Sequence, residues 1–107
     1  MKRFGQTIFL KPEGADQYLR LHAQTWPGVI AKIKDCNISN YSIFRKDYTL
    51  FAYFEYTGNN FEEDMARMAE DPETQRWWDT VKPLMQPLES RSQGEFWADM
   101  TEIFHQD

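Results

Sequence analysis

Cysteine, glycine and positive charge are all scarce in this chain of 107 residues. Cys36 is the single cysteine, so no disulfide can form within the chain, as is typical of proteins from a reducing compartment. The 5 glycines are scattered and form no phosphate-binding loop. With 12 basic against 17 acidic residues the formal net charge is −5, and no basic patch is present to bind phosphates, which argues against nucleic-acid binding.

Long apolar runs and metal-binding motifs are also missing. No stretch approaches the roughly 20 apolar residues of a transmembrane helix, and the first residues lack the apolar core and cleavage site of a secretory signal. We therefore expect a cytoplasmic protein that has no membrane partner. Only 2 histidines are present, and the chain has no His-x-x-x-His motif or cysteine pair, so no metal site is predicted.

Aromatic residues, in contrast, are abundant. The chain is 41% hydrophobic and 16% aromatic, a composition typical of folded rather than disordered proteins. Its length suits one compact domain that spans residues 1–107. A large enclosed pocket would be hard to build from so short a chain without a partner subunit.

Hydrophobic periodicity predicts alternating strands and helices. Pro27-Gly28 interrupts the first helical pattern, where the helix either kinks or gives way to a second one with Thr25 as its cap and Pro27 in its first turn. Strands are predicted over 3–10, 38–45, 49–56 and 95–104, and helices over 16–35 and 61–69, with a further helix that Asp71-Pro72 caps and that carries Trp77 and Trp78.

The element order is β-α-β-β-α-β, with extra helix in the second crossover. This is the order of an α+β, ferredoxin-like split βαβ fold, an antiparallel four-stranded sheet with helices on one face. The strands carry apolar side chains at both parities, which predicts that both faces of the sheet are buried. Helices can cover one face and a second copy's sheet the other, so we expect a homodimer.

Aromatic residues around one histidine form the candidate site. Tyr18, His22 and Trp26 recur every four residues, which places them on one helical face if the helix continues through Trp26. Trp77 and Trp78 are adjacent and therefore point about 100° apart on a helix, so one could face the core and the other a cavity. The alternative is that all five are core residues. The residues alone thus indicate a small α+β domain with an aromatic-lined ligand pocket as one interpretation.

Four segments resemble the L-rhamnose mutarotase family in order and spacing over nearly the whole chain. The more specific motifs are His-x-x-x-Trp-Pro and Arg-Trp-Trp, while the strand segments alone are weaker. The resemblance implies a dimeric α+β barrel whose two sheets pack face to face. It also implies interconversion of the α and β anomers of L-rhamnose without a metal or cofactor. The segments are His22–Pro27, Asn40–Phe44, Leu50–Glu55 and Gln75–Trp78.

By matching position, the resemblance assigns the catalytic role to His22 and the sugar contacts to Tyr18, Tyr41, Trp77 and Trp78. The chemistry suits these residue types. Opening a pyranose requires a proton on the ring oxygen and removal of one from the anomeric hydroxyl, and an imidazole can give and take protons near neutral pH. Indole faces suit the C–H face and 6-methyl group of a deoxysugar, and polar tips suit its hydroxyls.

Several alternatives stay open at this point. The reaction could act on another deoxysugar such as L-fucose, or the chain could be a non-catalytic dimeric barrel that binds a small molecule or haem. Gly28 departs from the family pattern, in which an acidic residue is expected after the proline. The group that pairs with His22 as the second acid or base, and whether Trp26 lines the site or the core, are not decided by the sequence.

Overall fold

Five strands and four helices follow one another along the chain in the computed structural model, which describes all residues from Met1 to Asp107. None of the helices has the length and apolar character needed to cross a bilayer. The strands are β1 (Lys2–Leu10), β2 (Ile38–Lys46), β3 (Thr49–Tyr56), β4 (Met85–Gln86) and β5 (Ala98–Met100). The helices are α1 (Ala15–Ala23), α2 (Pro27–Asp35), α3 (Phe61–Glu70) and α4 (Pro72–Val81), with 3-10 turns at Pro12–Gly14 and Lys82–Leu84.

The sheet is antiparallel throughout, with the strand order β2-β3-β1-β4. The second edge of β1 is shared, because Phe9 and Leu10 pair with β4 while Gly5–Thr7 pair with β5. This order, with the helices in the crossovers, confirms the predicted α+β, split βαβ fold. The two crossovers contain two helices each, which includes the extra helix expected in the second one.

The predicted last strand over 95–104 is wrong in extent. Only Ala98–Met100 pairs with β1, and residues 101–107 are exposed and irregular. The sequence also gave no sign of β4, because its two residues lie between Pro83 and Pro87, which interrupt any strand pattern. The single predicted last strand is therefore replaced by two short strands, β4 and β5, which pair with the same edge of β1.

The helical run interrupted by Pro27 forms two helices rather than one kinked helix. Pro27 lies in the first turn of α2, as predicted for a second helix. The cap position, however, is occupied by Trp26 and not by Thr25. Trp26 has an extended backbone, as a residue before proline prefers. The Thr25 hydroxyl instead donates a hydrogen bond to the carbonyl of His22, at 3.2 Å, near the end of α1. The predicted cap of α4 is confirmed, since Asp71 Oδ2 accepts from the Thr74 amide at 3.0 Å.

The two faces of the sheet differ in burial. The inner face, which packs against the helices, carries Ile8 and Leu10 of β1 and Leu50 and Ala52 of β3, all of them buried. The outer face carries large apolar side chains that remain exposed in the single chain. Apolar residues thus occupy both faces of the sheet, as predicted, but the single chain buries only the inner face. The exposed outer-face residues include Phe9, Phe44 and Phe51.

Asp64 joins α3 to the sheet through a buried polar network. Asp64 is 8% exposed. Its carboxylate accepts hydrogen bonds from the Tyr56 hydroxyl at 2.5 Å and from Asn37 Nδ2 at 2.9 Å. Arg67 completes the network with an ion pair at 2.9 Å. Bonds from Tyr56, then Asn37 and Arg67, lower the pKa of Asp64 to about 2, because each stabilises the ionised carboxylate.

Asp64→Asn is therefore expected to change the acid stability of the fold. The Asp64 carboxylate contributes stability above its unfolded-state pKa, near 3.8, and loses that contribution as the pH falls towards 2. Urea unfolding should find the variant less stable than wild type at pH 7, with a shallower loss of stability between about pH 4 and pH 2. Asp16→Asn, at an exposed position of α1, should retain the wild-type slope. A slope unchanged in Asp64→Asn would contradict this assignment.

Candidate active site

A cavity of about 290 Å³ lies between the helices and the inner face of the sheet. Its volume is at the lower end of the range for small-molecule pockets, roughly 300 Å³ and above. A more open depression beside Ile30 of α2 adjoins the cavity and shares six of its eight lining residues with it. The structure brings all five predicted site residues to the cavity wall: Tyr18, His22, Tyr41, Trp77 and Trp78.

His22 is held in one orientation by its own helix. Its ring stacks on that of Tyr18 with centroids 4.0 Å apart, and its Nδ1 lies 2.9 Å from the Tyr18 carbonyl oxygen. A carbonyl oxygen can only accept, so Nδ1 carries the proton and Nε2 presents a lone pair, free of hydrogen bonds within the chain. Burial lowers the pKa of His22, and the bond to the Tyr18 carbonyl offsets this only in part. The imidazole is therefore neutral at pH 7.

The two tyrosines of the site remain protonated at neutral pH. Tyr18 is buried, and burial, followed by the proximity of Tyr41, raises its pKa well above the usual 10. Tyr41 is 42% exposed as a residue, with its ring 5.4 Å from that of Phe54. Burial of its hydroxyl nevertheless raises the pKa of Tyr41 to about 12. Both phenols are thus hydrogen-bond donors and not bases at pH 7.

The adjacent tryptophans have different surroundings. Trp77 is 6% exposed and makes edge contacts with His22 and Trp26, each with ring centroids 5.1 Å apart. Trp78 is half-buried, and the ammonium of Lys82 lies 4.9 Å from the centre of its ring. Trp26 packs behind Trp77 and does not line the cavity, so it belongs to the core. Trp77 is both a core residue and a wall of the site.

A β-bulge determines where Tyr41 points. Ser39 pairs with Glu55 and Ser42 with Tyr53, so two residues of β2, Asn40 and Tyr41, stand opposite one residue of β3. Asn40 has a left-handed backbone, with φ of 50°. The sequence carries only a weak signal for this feature, since asparagine is among the few residues that tolerate that conformation.

Polar residues from other elements complete the wall, and sequence reasoning missed them. Gln6 of β1 lines the cavity and donates through Nε2 to Asp99 of β5 at 2.7 Å. Lys82 lies over Phe96 as well as Trp78. Gln6 comes from the interior strand β1, Lys82 from the 3-10 turn that follows α4, and Phe96 from the segment before β5. Lys82 follows Trp78 by four residues, a helical spacing that could have indicated it, whereas only the tertiary structure identifies Gln6.

Comparison with known proteins identifies the family of the chain. The family model described as L-rhamnose mutarotase matches residues 3–106. The chain belongs to the L-rhamnose mutarotase family. An L-rhamnose mutarotase of Oceanobacillus iheyensis is 37% identical over 109 aligned positions, which cover 100% of both chains. The crystal structure of an L-rhamnose mutarotase from Formosa agariphila superimposes with a TM-score of 0.78 at 26% identity, again over 100% of both chains.

The fold extends beyond this family. Tetracenomycin F2 cyclase from Streptomyces glaucescens, a type-II polyketide cyclase, superimposes with a TM-score of 0.69 over 100% of both chains. Its identity is 12%, so the likeness is one of fold alone. The α+β architecture predicted from the sequence is thus shared with a protein of different chemistry, and the functional argument depends on the site and on family membership.

The departure from the family pattern at Gly28 has a structural counterpart. The first turn of α2 contains no acidic residue and no capping side chain. The carboxylate of Glu73, from α4, fills the space beside Gly28, where an added Cβ would collide with Glu73 Oε2. Negative charge at a helix N-terminus is favourable. Gly28 therefore lets α4 supply an acidic group that α2 itself lacks.

Alanine substitutions should separate the two tryptophans by their effect on stability. Trp77→Ala would leave a cavity among Trp26, His22 and the core, and we expect it to lower the free energy of unfolding by about 3–5 kcal/mol. Trp78→Ala removes a half-buried ring and should cost less than half as much. Urea unfolding of both variants provides the comparison. Equal losses would show that Trp78 is as much a core residue as Trp77.

Proposed function

We propose that this chain catalyses the interconversion of the α and β anomers of L-rhamnose. The observation that carries the proposal is the free Nε2 of a neutral His22 at the wall of an aromatic cavity, in a member of the L-rhamnose mutarotase family. Imidazole can act as both base and acid near pH 7. A sugar in the cavity loses its bound water where it contacts the aromatic rings. The cavity then holds the anomeric centre of the sugar next to the imidazole.

A single imidazole suffices for both proton transfers. Nε2 of His22 takes the proton of the anomeric hydroxyl, the C1–O5 bond breaks, and C1 and O1 form the carbonyl of the open-chain aldehyde. The imidazolium then gives this proton to O5. Because O1 and O5 are bonded to the same carbon, one positioned nitrogen can serve both. Rotation about C1–C2 and reversal of the two transfers close the ring on the other face.

The remaining site residues bind and orient the sugar. Tyr18 and Tyr41 keep their protons, since burial raises both pKa values, and so donate hydrogen bonds to sugar oxygens. Trp77 and Trp78 offer ring surfaces to the C–H face and the 6-methyl group. No step in this scheme requires a metal or a cofactor.

We further propose that the chain works as a homodimer in the cytoplasm. Phe44 and Phe51 pair across β2 and β3 on the outer face, with ring centroids 6.2 Å apart, and both are exposed in the single chain. Such a patch on a sheet suits a second copy of the same face, which would produce the face-to-face barrel. The thiol of Cys36 is unpaired and buried, which suits a reducing compartment.

NMR exchange between anomeric protons tests the proposal across a panel of free sugars. The protein should accelerate exchange of L-rhamnose more than that of L-fucose. L-Lyxose, which lacks only the 6-methyl carbon of L-rhamnose, should bind about fourfold more weakly or worse, because burying one such carbon is worth roughly 0.8 kcal/mol. Faster exchange of L-fucose would assign the alternative substrate. Absence of catalysis with all sugars, together with a haem absorption band in the visible spectrum of the purified protein, would support the haem-binding alternative.

His22→Ala is expected to lower catalysed exchange by about a hundred- to ten-thousand-fold, because it removes the acid/base group. The wild-type rate should fall in acid with a midpoint below 6.5, the ordinary value for histidine, since burial lowers the pKa of His22 and its neutral form is the active one. His105→Ala, at the exposed C-terminal end, should leave the rate unchanged. A His22→Ala protein with wild-type exchange and wild-type circular dichroism would remove His22 from the mechanism.

Phe51→Asp should convert the proposed dimer into a monomer, because it places a charge in the centre of the outer face. Light scattering at micromolar concentration measures the mass directly. Leu19→Asp makes the same change at an exposed position of α1, in the helical layer, and should leave the mass of a dimer. Wild-type protein that is monomeric at all concentrations would disprove the dimer and the barrel that depends on it.

A further inference from the structure

The bulge in β2 reverses which residues of that strand face the cavity. Before the bulge, Ile38 is buried on the inner face. After it, Tyr41 and Ile43 line the cavity, while Phe44 stacks with Phe51 on the outer face. Side chains of a regular strand alternate strictly, so continuation from Ile38 would place Tyr41 on the outer face. The extra residue shifts the alternation by one and brings Tyr41 to the site.

Asn40 is the residue that makes this shift possible. Its φ of 50° lies in the left-handed region, which a residue with a Cβ adopts only at a cost, least for asparagine and aspartate. Its side chain is also held, since Nδ2 donates to Glu55 Oε1 at 2.6 Å. The second oxygen of Glu55 accepts from the Tyr53 hydroxyl at 2.7 Å. The backbone and the side chain of Asn40 are therefore both held in place. The side chain lies on the sheet face opposite the cavity.

We propose that Asn40 is a positioning residue for the reaction: its left-handed backbone, tied to Glu55, holds the bulge that aims the Tyr41 side chain at the sugar beside His22. This inference rests on the proposed function, because it assigns Asn40 a role in that same site. Asn40 itself lies outside the cavity lining and acts only through its neighbour. Strained backbone of this kind persists where surrounding contacts impose it, often beside functional sites.

The chain supplies a matched control for the cost of the backbone conformation alone. Asp47, in the turn between β2 and β3, has a φ of 53° and does not line the cavity. Asp47→Ala and Asn40→Ala therefore introduce the same left-handed alanine, one far from Tyr41 and one beside it. Asn40→Gly keeps the backbone conformation accessible and removes only the bond to Glu55.

The first measurement is catalysed anomer exchange of L-rhamnose per folded protein. Tyr41→Phe, which loses one hydrogen bond, should lower kcat/KM about tenfold. Asn40→Ala should lower it at least as much, Asn40→Gly should restore most of the loss, and Asp47→Ala should match wild type. Because Asn40 acts through Tyr41, the Asn40→Ala/Tyr41→Phe double variant should be no slower than the slower single variant. Losses that multiply in the double variant, or exchange unchanged in Asn40→Ala, would overturn the proposal.

The second measurement reports the placement of Tyr41 without any catalysis. In protein labelled with 13C at tyrosine Cζ, the Tyr41 signal is assigned by its absence from Tyr41→Phe. In wild type it should keep its neutral-phenol position up to about pH 11, because burial raises the pKa of Tyr41 to about 12. In Asn40→Ala it should titrate near 10, as an exposed tyrosine does. An unshifted titration in Asn40→Ala overturns the inference even if the protein is a mutarotase.

The two measurements also distinguish failure of the inference from failure of the proposed function. Wild-type protein without anomer exchange, but with a Tyr41 titration that moves in Asn40→Ala, would reject the function and retain Asn40 as the residue that aims Tyr41. If wild-type protein exchanges the anomers, and Asn40→Ala matches it in both the exchange rate and the Tyr41 titration, the positioning role of Asn40 is rejected and the proposed function is retained.

Discussion

The hydrogen bond from His22 Nδ1 to the Tyr18 carbonyl is the interaction on which the account of the site depends. At 2.9 Å, within one helix, it fixes the tautomer and leaves Nε2 as the only nitrogen that can exchange a proton with a ligand. It also keeps the imidazole stacked on the Tyr18 ring. Burial lowers the pKa of His22 more than the bond to the Tyr18 carbonyl raises it, so the ring stays neutral at pH 7. The hydrogen bond thus determines the tautomer and the ring orientation, and burial determines the protonation state.

The rest of the fold places other groups around that nitrogen. Trp26, at the start of α2, supports Trp77 from behind, and Trp77 in turn contacts the imidazole edge. The sheet supplies Tyr41 from the opposite wall through the bulge in β2. The cavity therefore needs both layers of the fold, and neither a helix nor the sheet alone would form it. This division explains how a chain of 107 residues can hold a small ligand.

Much of this arrangement could be predicted from the sequence, because it depends on local periodicity. The strands over 3–10, 38–45 and 49–56 and the cap at Asp71 follow from alternation and capping rules. The four-residue spacing of Tyr18 and His22 places both on one face of α1. The aromatic residues around His22 also indicated a ligand pocket as one interpretation, and the resemblance to a family assigned the sugar contacts to Tyr18, Tyr41, Trp77 and Trp78.

Other features could not be predicted, for physical reasons. The short strand β4 and the limited extent of β5 depend on pairing with β1 and not on their own propensities. Gln6 reaches the cavity only because β1 and the helices meet there. The carboxylate beside Gly28 comes from Glu73, 45 positions later in the chain, so no local pattern reveals it. The bulge at Asn40 requires knowledge of the strand register.

The most direct test of the central claim is 15N NMR of the His22 side chain at pH 7, with and without L-rhamnose. His105→Ala protein leaves His22 as the only histidine, so its two nitrogen signals are assigned without ambiguity. We expect a neutral ring with the proton on Nδ1, and an unprotonated Nε2 signal that shifts on addition of the sugar. A doubly protonated ring at pH 7, or a neutral ring with the proton on Nε2, would contradict it.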